Sequence, residues 1–378
     1  MKKRCMTAVL CAAMLLTGCG KSLSGKTKPI EIKPLDGSEE FCTAQLEFAC
    51  SLLHRAAEET DGENLLFSPY LAAEAYLAAA NFFSPDDTPQ EAFGGMQLAA
   101  LNGSFVKWRS TQDGLTEAMS LWLPEDSAVD AQDRALRLGA GLCGLYAERS
   151  LPSPDAVGRW VKEATGGAVT EIAAAQDQGT SLLGTAVLEL KWNETYSDNE
   201  VKNMLFTCAD GTQKSVPFLS KDSDTAVLLE DDSIRGLRRN CQNHKYAFLA
   251  LMPKSGDVDG LLGTLTPEQL SSYIRGGAES TLRTGIPKLE AEDTSQILSW
   301  LGIPVPGGSG QHPLRIGQAV QHVRLVIGQG TAEAEFKMDL GESETARDQI
   351  ILDHPFVYFI VDRQYGLPVF AGTVRQTG

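Results

Sequence analysis

Histidine is the side chain best suited to move protons near neutral pH, so the histidines are the first candidates for chemistry. The chain has five, His54, His244, His312, His322 and His354. None lies in a His-Glu-x-x-His motif, and the chain contains no Gly-x-Ser-x-Gly elbow and no Gly-rich phosphate loop. His54 falls in a helical pattern, and His322 and His354 flank predicted strands, which favours structural roles. Because a catalytic triad is defined by geometry and not by sequence order, an exported hydrolase whose triad residues are distant in the sequence remains an alternative function.

Cysteine could supply metal ligands or disulfides. Apart from Cys19, the part of the chain after residue 18 contains five, Cys42, Cys50, Cys143, Cys208 and Cys241. Five is an odd number and none forms a Cys-x-x-Cys pair, so neither a complete disulfide framework nor a zinc site is indicated. We expect buried free thiols, no bound metal and no cofactor.

The N-terminus predicts a different chemistry, the attachment of lipid. Residues 1–18 combine a basic start, an apolar run too short to span a membrane comfortably and small residues, as in an export signal. Leu-Thr-Gly-Cys at residues 16–19 resembles the bacterial lipobox, which implies a lipoprotein signal peptide over 1–18 and acylation of Cys19. The alternative is a plain signal peptide. Residues 19–36 are predicted to be a flexible tether, which places the protein outside the bacterial cell, anchored at its surface.

The charge balance excludes one class of partner. Removal of residues 1–18 takes away Lys2, Lys3 and Arg4 and no acid, which brings the formal net charge from -16 to -19. Nucleic acid is therefore not expected as a partner, because phosphate binding requires clustered cations. The 43% hydrophobic content suits a globular core, and no long Pro, Gly or Ser tract divides residues 37–378, so we predict one domain there.

One further stretch, residues 330–348, changes character halfway along. Its first half alternates apolar and charged side chains, with Ala332, Ala334, Phe336, Met338 and Leu340 in one set and Glu333, Glu335, Lys337 and Asp339 in the other. Alternation of this kind predicts a β-strand. The second half is small and charged, which predicts an exposed loop.

The elements that must position this stretch are helical early in the chain and extended later. Helical patterns cover residues 38–60, 70–83 and 153–172, the second after a short strand within 64–69 and the third capped by Ser153 or Asp155 and broken at Gly166-Gly167. Strands are predicted at residues 186–192, 246–252, 323–327, 356–361 and 368–374. The fold class is therefore α+β, with large antiparallel or mixed sheets.

Several fragments, in order, resemble the serpin family from about residue 38 to the end. Asn-Leu-Leu-Phe-Ser-Pro at 64–69 resembles the family's strand-to-helix entry, and Trp-Val-Lys-Glu-Ala-Thr-Gly-Gly-Ala-Val-Thr-Glu-Ile at 160–172 resembles its Trp-Val signature. Lys191-Trp192 resembles the family's Lys-Trp at the top of its main sheet, and the closing residues 355–374 resemble its final hairpin. The resemblance implies a serpin fold, with about eight helices around three β-sheets and an exposed reactive-centre loop.

Two features depart from the family pattern. Residues 304–318 form a shorter region than the corresponding helix-bearing part of typical members. Gln321 stands where the family has a histidine before the hinge strand, and His322 is displaced by one position. We expect these departures to change the side-chain packing near the centre of the main sheet.

The resemblance implies a suicide-substrate inhibitor of serine proteases, with cysteine proteases as further targets. In that family a protease cuts the exposed loop, and the hinge half inserts into the main sheet with the acyl-bound protease attached. The implied hinge comprises Gly330, Thr331, Ala332, Ala334 and Phe336. The implied mechanism needs no catalytic residue in this chain. The expected partners are an extracellular protease and, through the lipid anchor, the membrane; the domain itself is expected to be a monomer.

The family's count from the hinge glycine places the cut near Glu344. Counting back from Pro355 gives the same residue, so the scissile bond is expected at Glu344-Thr345 or Thr345-Ala346. Such bonds suit elastase-like or glutamyl proteases. Arg347 would suit a trypsin-like enzyme but lies too far along by both counts, and it is kept as an outside alternative.

The charged set decides which face of the inserted strand points inward. Aligning Gly330-Thr331 with the family would bury Glu333, Glu335 and other charges, at several kcal/mol for each unpaired charge. Counting on from Val323 and Leu325 instead buries the apolar set, and we prefer that register.

Phe336 and Glu335 stand where inhibitory members have small residues, so insertion could be slow and the acyl-enzyme could hydrolyse first. A non-inhibitory serpin-fold surface protein that binds a partner or ligand is therefore the alternative function.

Overall fold

The structure is a computed structural model that describes residues 29–36, 38–59, 62–83, 88–124, 133–174, 179–241, 244–303, 316–329 and 348–377. Within these ranges the α-helices are α1 (Glu39–Glu59), α2 (Pro69–Phe83), α3 (Leu98–Arg109), α4 (Asp133–Cys143), α5 (Pro154–Ala164), α6 (Val258–Thr264), α7 (Pro267–Arg275) and α8 (Leu298–Leu301). None of these helices is both long and apolar enough to cross a membrane.

Sixteen strands are present in the same ranges. They are β1 (Leu66–Phe67), β2 (Pro89–Gln90), β3 (Met96–Gln97), β4 (Leu115–Trp122), β5 (Tyr146–Glu148), β6 (Thr180–Lys191), β7 (Val201–Thr207), β8 (Gln213–Glu230), β9 (Ile234–Asn240), β10 (Tyr246–Pro253), β11 (Ser280–Pro287), β12 (Leu289–Gln296), β13 (Ile316–Gly328), β14 (Gln349–Ile351), β15 (Phe356–Asp362) and β16 (Leu367–Val374).

The strands form three sheets. Five strands pair in the order β12-β13-β6-β4-β5, and nine form a second sheet in the order β1-β16-β15-β10-β9-β8-β11-β14, with β7 also paired to β8. A small sheet joins β2 and β3. Parallel and antiparallel pairs occur together in the two large sheets, so the predicted α+β class with mixed sheets is confirmed.

The predicted strand-to-helix entry is confirmed, and one serine fixes it. Ser68 lies between β1 and α2, and its hydroxyl oxygen accepts a hydrogen bond from the Leu71 N–H at 3.0 Å. This caps one of the free amides at the start of α2. The same hydroxyl donates to the Val369 carbonyl at 2.8 Å, which ties the helix start to β16.

Helix α5 begins as predicted, since the Ser153 hydroxyl accepts from the Ala156 N–H at 3.3 Å. The predicted break at Gly166-Gly167 is also confirmed, because both glycines have positive φ angles of 62° and 90°. The predicted range to Ile172 is wrong beyond this point. The helix ends at Ala164, and a left-handed pair stops a right-handed helix without letting it resume.

Both faces of the five-stranded sheet are covered. Residues of α5, including Val157 and Trp160, form a hydrophobic cluster with Leu183 and Val187 of β6 on one face. On the other face α2 packs closely enough that a Cβ atom at Gly184 would lie 3.2 Å from Leu71. The sheet is therefore a buried layer between helices, which suits its apolar strands.

Residues 29–36, here called the N-terminal strap, lie against α3 and α4. The Ile30 N–H donates to the Arg137 carbonyl at 2.9 Å and the Leu35 N–H to the Gly103 carbonyl at 3.0 Å. A Cβ atom at Gly141 would lie 2.0 Å from the Ile30 oxygen, and one at Gly103 would lie 2.8 Å from Leu35. Glycine at these two helical positions therefore makes room for the strap. Because residues 29–36 are held against α3 and α4, the flexible tether predicted after Cys19 would end before Pro29.

Candidate functional site

The centre of the five-stranded sheet is a parallel pairing between β6 and β13, here called the seam. It runs in register from Gln318 opposite Ser181 to Gly328 opposite Lys191. Parallel pairs are slightly less stable per residue than antiparallel ones. A segment that followed β13 and turned back would run antiparallel to both β6 and β13. The seam is therefore a place where an added strand would improve the pairing of its neighbours.

Both flanks of residues 330–347 lie at one end of the seam. Gln329 directly follows β13, and the Asp348 carbonyl accepts from the Arg283 N–H of β11 at 3.0 Å. Strand β11 ends at Pro287, and Leu289 at the start of β12 pairs with Ile327, next to the end of β13. The predicted hinge (Gly330, Thr331, Ala332, Ala334, Phe336) and the predicted scissile residues (Glu344, Thr345, Ala346) lie outside the described residues.

The inward face of β13 is the one on which the preferred register depends. Val323 and Leu325 are 0% exposed and Ile327 is 3% exposed, whereas Arg324 between them lies on the outer face. An uninterrupted continuation of this alternation through residues 330–340 remains a prediction.

Gln329 closes the end of the seam through reciprocal hydrogen bonds with the loop after β6. The Tyr196 N–H donates to the Gln329 carbonyl at 3.1 Å, and the Gln329 side-chain amide donates to the Tyr196 carbonyl at 3.2 Å. The same amide donates to Asp198 at 3.0 Å, and Lys288 donates to the Gln329 side-chain oxygen at 3.3 Å. We call this set the Gln329 latch. Opening the seam at this end requires breaking it.

A buried ion pair between Arg239 and Asp224 lies next to Tyr196 of the latch. The Arg239 Nε lies 2.8 and 2.9 Å from the two Asp224 oxygens, and the guanidinium stacks over Trp192 and Tyr196, 4.6 and 4.9 Å from their ring centres. Its Nη2 donates to the Glu194 carbonyl at 2.9 Å. Burial raises the pKa of the Tyr196 phenol. This cluster fixes the position of Tyr196, the fixed half of the latch.

Two side-chain ties cross the seam further along. Near its far end the Gln318 amide donates to the Ser181 hydroxyl at 2.8 Å, with both residues buried. On the outer face Arg324 contacts Glu189 at 3.4 Å and also Glu290 at 3.3 Å on the opposite side. Neither the latch nor these ties was predicted from the sequence.

Gln321, at the middle of the seam, is fully buried opposite Gly184. Its side-chain oxygen accepts from the Ser68 N–H at 3.1 Å, which connects the seam to the start of α2. Its side-chain nitrogen has no hydrogen-bond partner. The departure noted at this position in the sequence therefore leaves a buried amide half satisfied.

The histidines have structural partners, with one change of position. His322 was predicted to flank a strand but lies inside β13, because the strand begins at Ile316 and not at Val323. Its Nδ1 lies 2.9 Å from the Thr294 hydroxyl and its Nε2 lies 3.4 Å from Glu292. Burial lowers the pKa of the His322 ring. His54 Nε2 lies 3.2 Å from the Leu265 carbonyl, and His354 lies 2.7 Å from Asp353. His244 is held through its backbone, whose N–H donates to the Cys241 carbonyl at 3.0 Å, and His312 lies outside the described residues.

The five cysteines in the described part of the chain are free thiols, as expected. Cys50, Cys143, Cys208 and Cys241 are buried and Cys42 is half-buried. Burial raises the pKa of Cys50 and of Cys241 to about 12, so these thiols are protonated and unreactive at neutral pH. Within the described ranges no group of three or more His, Cys, Asp or Glu residues is placed to hold a metal ion.

Comparison with solved structures defines the fold. The thermophilic serpin tengpin in its native state is similar with a TM-score of 0.81 and 20% identity, over 95% of this chain and 100% of tengpin. Serpin-12 of Manduca sexta has a TM-score of 0.71 and 15% identity, over 88% of this chain and 98% of that one. At these identities the similarity shows the fold alone. The predicted serpin fold, with eight helices and three sheets, is confirmed.

The sequence places the chain in a family. Residues 43–377 match the profile of the serpins (serine protease inhibitors), so the chain belongs to the serpin family. A serpin-like protein of Thermococcus kodakarensis is 23% identical over 57% of this chain and 54% of its own length. Alpha-1-antitrypsin 1-4 of Mus musculus is 23% identical over 89% of each chain. Members of this family are generally protease inhibitors and not enzymes.

Proposed function

We propose that this protein is a suicide-substrate inhibitor of serine proteases, whose reactive loop is cut and then inserts at the seam. The observation that carries the proposal is that β13 ends at the Gln329 latch and leads into residues 330–347 beside a central parallel pairing. Family membership supports the inhibitor class. The alternating apolar set supports insertion with Ala332, Ala334 and Phe336 facing inward.

Chain length supports a requirement for cleavage. The seam from Gln318 to Gly328 is 11 residues long, or about 36 Å at 3.3 Å per residue. If about 11 of residues 330–347 filled it, about seven would remain, with a reach of roughly 25 Å. Because the Asp348 carbonyl is bonded to Arg283 of β11, the strand whose end adjoins Lys288 of the latch, that remainder is too short to return along the seam. Full insertion therefore needs a broken bond, and Glu344-Thr345 or Thr345-Ala346 leaves enough chain on the hinge side.

The target is proposed to be an extracellular protease of glutamyl or elastase-like specificity. The full-length domain should be incubated with one protease of each kind and with trypsin, and products resolved in SDS. We expect a covalent complex with a glutamyl or elastase-like protease and a released fragment that begins at Thr345 or Ala346. A fragment that begins at Asp348 would instead indicate cleavage after Arg347.

The thermal stability of the cut protein separates inhibition from the alternative. Insertion adds a buried strand, so the nicked domain should unfold at a higher temperature than the intact one. Clean cleavage without a covalent complex, but with this gain, would indicate slow insertion caused by Phe336 and Glu335. Cleavage with no gain would contradict insertion and favour a non-inhibitory, partner-binding protein.

We also propose that residues 1–18 are removed and that Cys19 carries lipid, which would hold the domain at a bacterial cell surface. The lipobox-like residues 16–19 support this. Expression of the full chain and of Cys19→Ala in a bacterial host with lipoprotein processing, followed by membrane fractionation, tests it. The unchanged chain should remain with membranes and Cys19→Ala should not. Equal membrane association of the two would contradict acylation at Cys19.

A further inference from the structure

A cluster of ionisable side chains lies away from the seam, where α2, α3, α4 and β4 meet. It contains Tyr70 and Glu74 of α2, Arg109 of α3, Glu117 of β4 and Cys143 of α4, and we call it the α2–β4 joint. The Arg109 Nε lies 2.5 Å from one Glu117 oxygen and 3.7 Å from one Glu74 oxygen. Its Nη2 donates to the Cys143 carbonyl at 3.4 Å.

The joint contains more acid than base. The Glu74 and Glu117 side chains are only 1% and 11% exposed, and they share a single guanidinium. The Tyr70 hydroxyl faces Glu117 and the Cys143 thiol faces Glu74, and neither of these groups brings a positive charge. If both acids were ionised, one buried negative charge would be unneutralised, which is strongly unfavourable in a protein interior. By contrast, the buried Asp224 is matched one-to-one by Arg239.

A proton supplies the missing positive charge. The groups that face Glu74 are Glu117 on β4, Arg109 on α3 and Cys143 on α4. Burial first, and then the Glu117 carboxylate, raises the pKa of Glu74 well above its usual range, against the opposing effect of Arg109. Glu74, the more deeply buried acid, is therefore the residue that holds the proton.

The position of Glu117 links this proton to the sheet. Glu117 pairs with Ala186 of β6, so it belongs to the half of the sheet on the β6 side of the seam. A strand added at the seam must separate β6 from β13 by about one further strand spacing of 4.8 Å, and β4 moves with β6. Glu74 lies on α2, which also packs against β6. Ser68, directly before α2, donates its backbone N–H to the Gln321 side chain of β13. Separation of the two halves therefore strains the contacts between Glu117 and α2.

We propose that a proton on Glu74 keeps this buried carboxyl neutral beside Glu117 and so stabilises the packing of β4 against α2, and that its loss at higher pH loosens this joint and favours opening of the sheet. The effect on opening rests on the proposed function. Proton binding at the joint does not, because it involves the folded domain alone.

Thermal unfolding of the full chain as a function of pH tests the proton. Since the folded-state pKa of Glu74 is raised, its protonation stabilises the domain fully below the unfolded value of about 4.3 and is lost as pH rises through the folded value. Glu74→Gln keeps the neutral form at every pH. The melting temperature of the unchanged protein should therefore fall relative to that of Glu74→Gln as pH rises.

Two further variants complete the design. Glu117→Gln leaves Glu74 alone with Arg109, so it should lower the pKa of Glu74 and reduce the fall in melting temperature as pH rises. This variant replaces Glu74→Gln in the test if Glu74→Gln does not fold. Glu63→Gln, at an exposed acid, is the matched control and should follow the unchanged protein. Infrared spectroscopy at neutral pH should detect a protonated carboxyl band that is absent in Glu74→Gln. Parallel melting curves against pH, or no such band, would overturn the proposal.

The coupling to the sheet has its own measurement. After loop cleavage, the rate at which the stabilised form appears should rise with pH in the unchanged protein and change less in Glu74→Gln. A pH-dependent melting difference with no stabilised form at any pH would refute insertion while leaving the proton at the joint. A stabilised form whose rate has the same pH dependence in both proteins would refute the coupling and retain insertion.

Discussion

Gln329 and the Tyr196 backbone bind each other at the entrance to the seam: the Tyr196 N–H donates to the Gln329 backbone carbonyl at 3.1 Å, and the Gln329 side-chain amide donates to the Tyr196 carbonyl at 3.2 Å. One residue ends β13 and the other follows β6, so the pair closes the parallel pairing where a new strand would enter. The Arg239 guanidinium, stacked on the Tyr196 ring, holds one side of this pair in place. The Gln329 side chain is therefore the movable part.

Gln329→Ala should weaken closure of the seam. The variant loses the side-chain hydrogen bonds with Tyr196, Asp198 and Lys288, at about 0.5–1.5 kcal/mol each, but keeps the backbone hydrogen bond. We expect a melting temperature a few degrees lower and faster insertion after cleavage. Gln213→Ala, which removes one exposed hydrogen bond to Thr207, is the matched control. Unchanged insertion kinetics in Gln329→Ala would show that the latch does not limit opening.

The inward register is tested by two neighbouring substitutions. In the preferred register Ala334 faces inward, so Ala334→Arg would bury a charge and should abolish the thermal gain after cleavage. Glu333→Arg faces outward and should retain that gain. Differential scanning calorimetry of the nicked proteins gives the comparison. The reverse result would support the register that aligns Gly330-Thr331 with the family.

Some elements of this fold could be predicted from the sequence because their signals are local. Sequence patterns indicated α1, α2 and parts of β6, β10, β13, β15 and β16, and Ser153 or Asp155 was predicted to cap α5. The latch could not be predicted, because Gln329 and Tyr196 are 133 residues apart and neither belongs to a motif. The first half of β13 was missed because its polar Gln318, Gln321 and His322 break the apolar alternation, although Ser181, Ser68 and Thr294 bind them in the folded protein.

Substitution by alanine should have opposite effects on stability at two helical glycines, because only Gly141 lies against the strap. Glycine to alanine inside a helix normally stabilises by about 1 kcal/mol, and Gly263 in α6 has open space around its Cβ position, so Gly263→Ala should raise the melting temperature. Gly141→Ala instead places a methyl group 2.0 Å from the Ile30 oxygen and should destabilise by about 1–3 kcal/mol or displace the strap.

Hydrogen exchange distinguishes these two results. Displacement of the strap should speed exchange of the Ile30 and Leu35 amides, which donate to Arg137 and Gly103. Stabilisation by Gly141→Ala, with both amides still protected, would contradict the observed contact.

His322 should make the domain less stable in mild acid. Burial lowers the pKa of its ring in the folded state, so the unfolded chain binds the proton more readily. Stability should therefore be lost as pH falls below the unfolded value of about 6.5, until the folded ring is also protonated. His322→Gln can keep a hydrogen bond to Thr294 but cannot titrate, so its unfolding free energy should not share this loss. Denaturant unfolding at a series of pH values measures the difference, with His354→Gln as the exposed control.

The loss of stability expected from His322 occurs as pH falls, whereas the loss expected from Glu74 occurs as pH rises, so the single variants separate the two groups. An identical loss in the unchanged protein and His322→Gln would assign it to other groups.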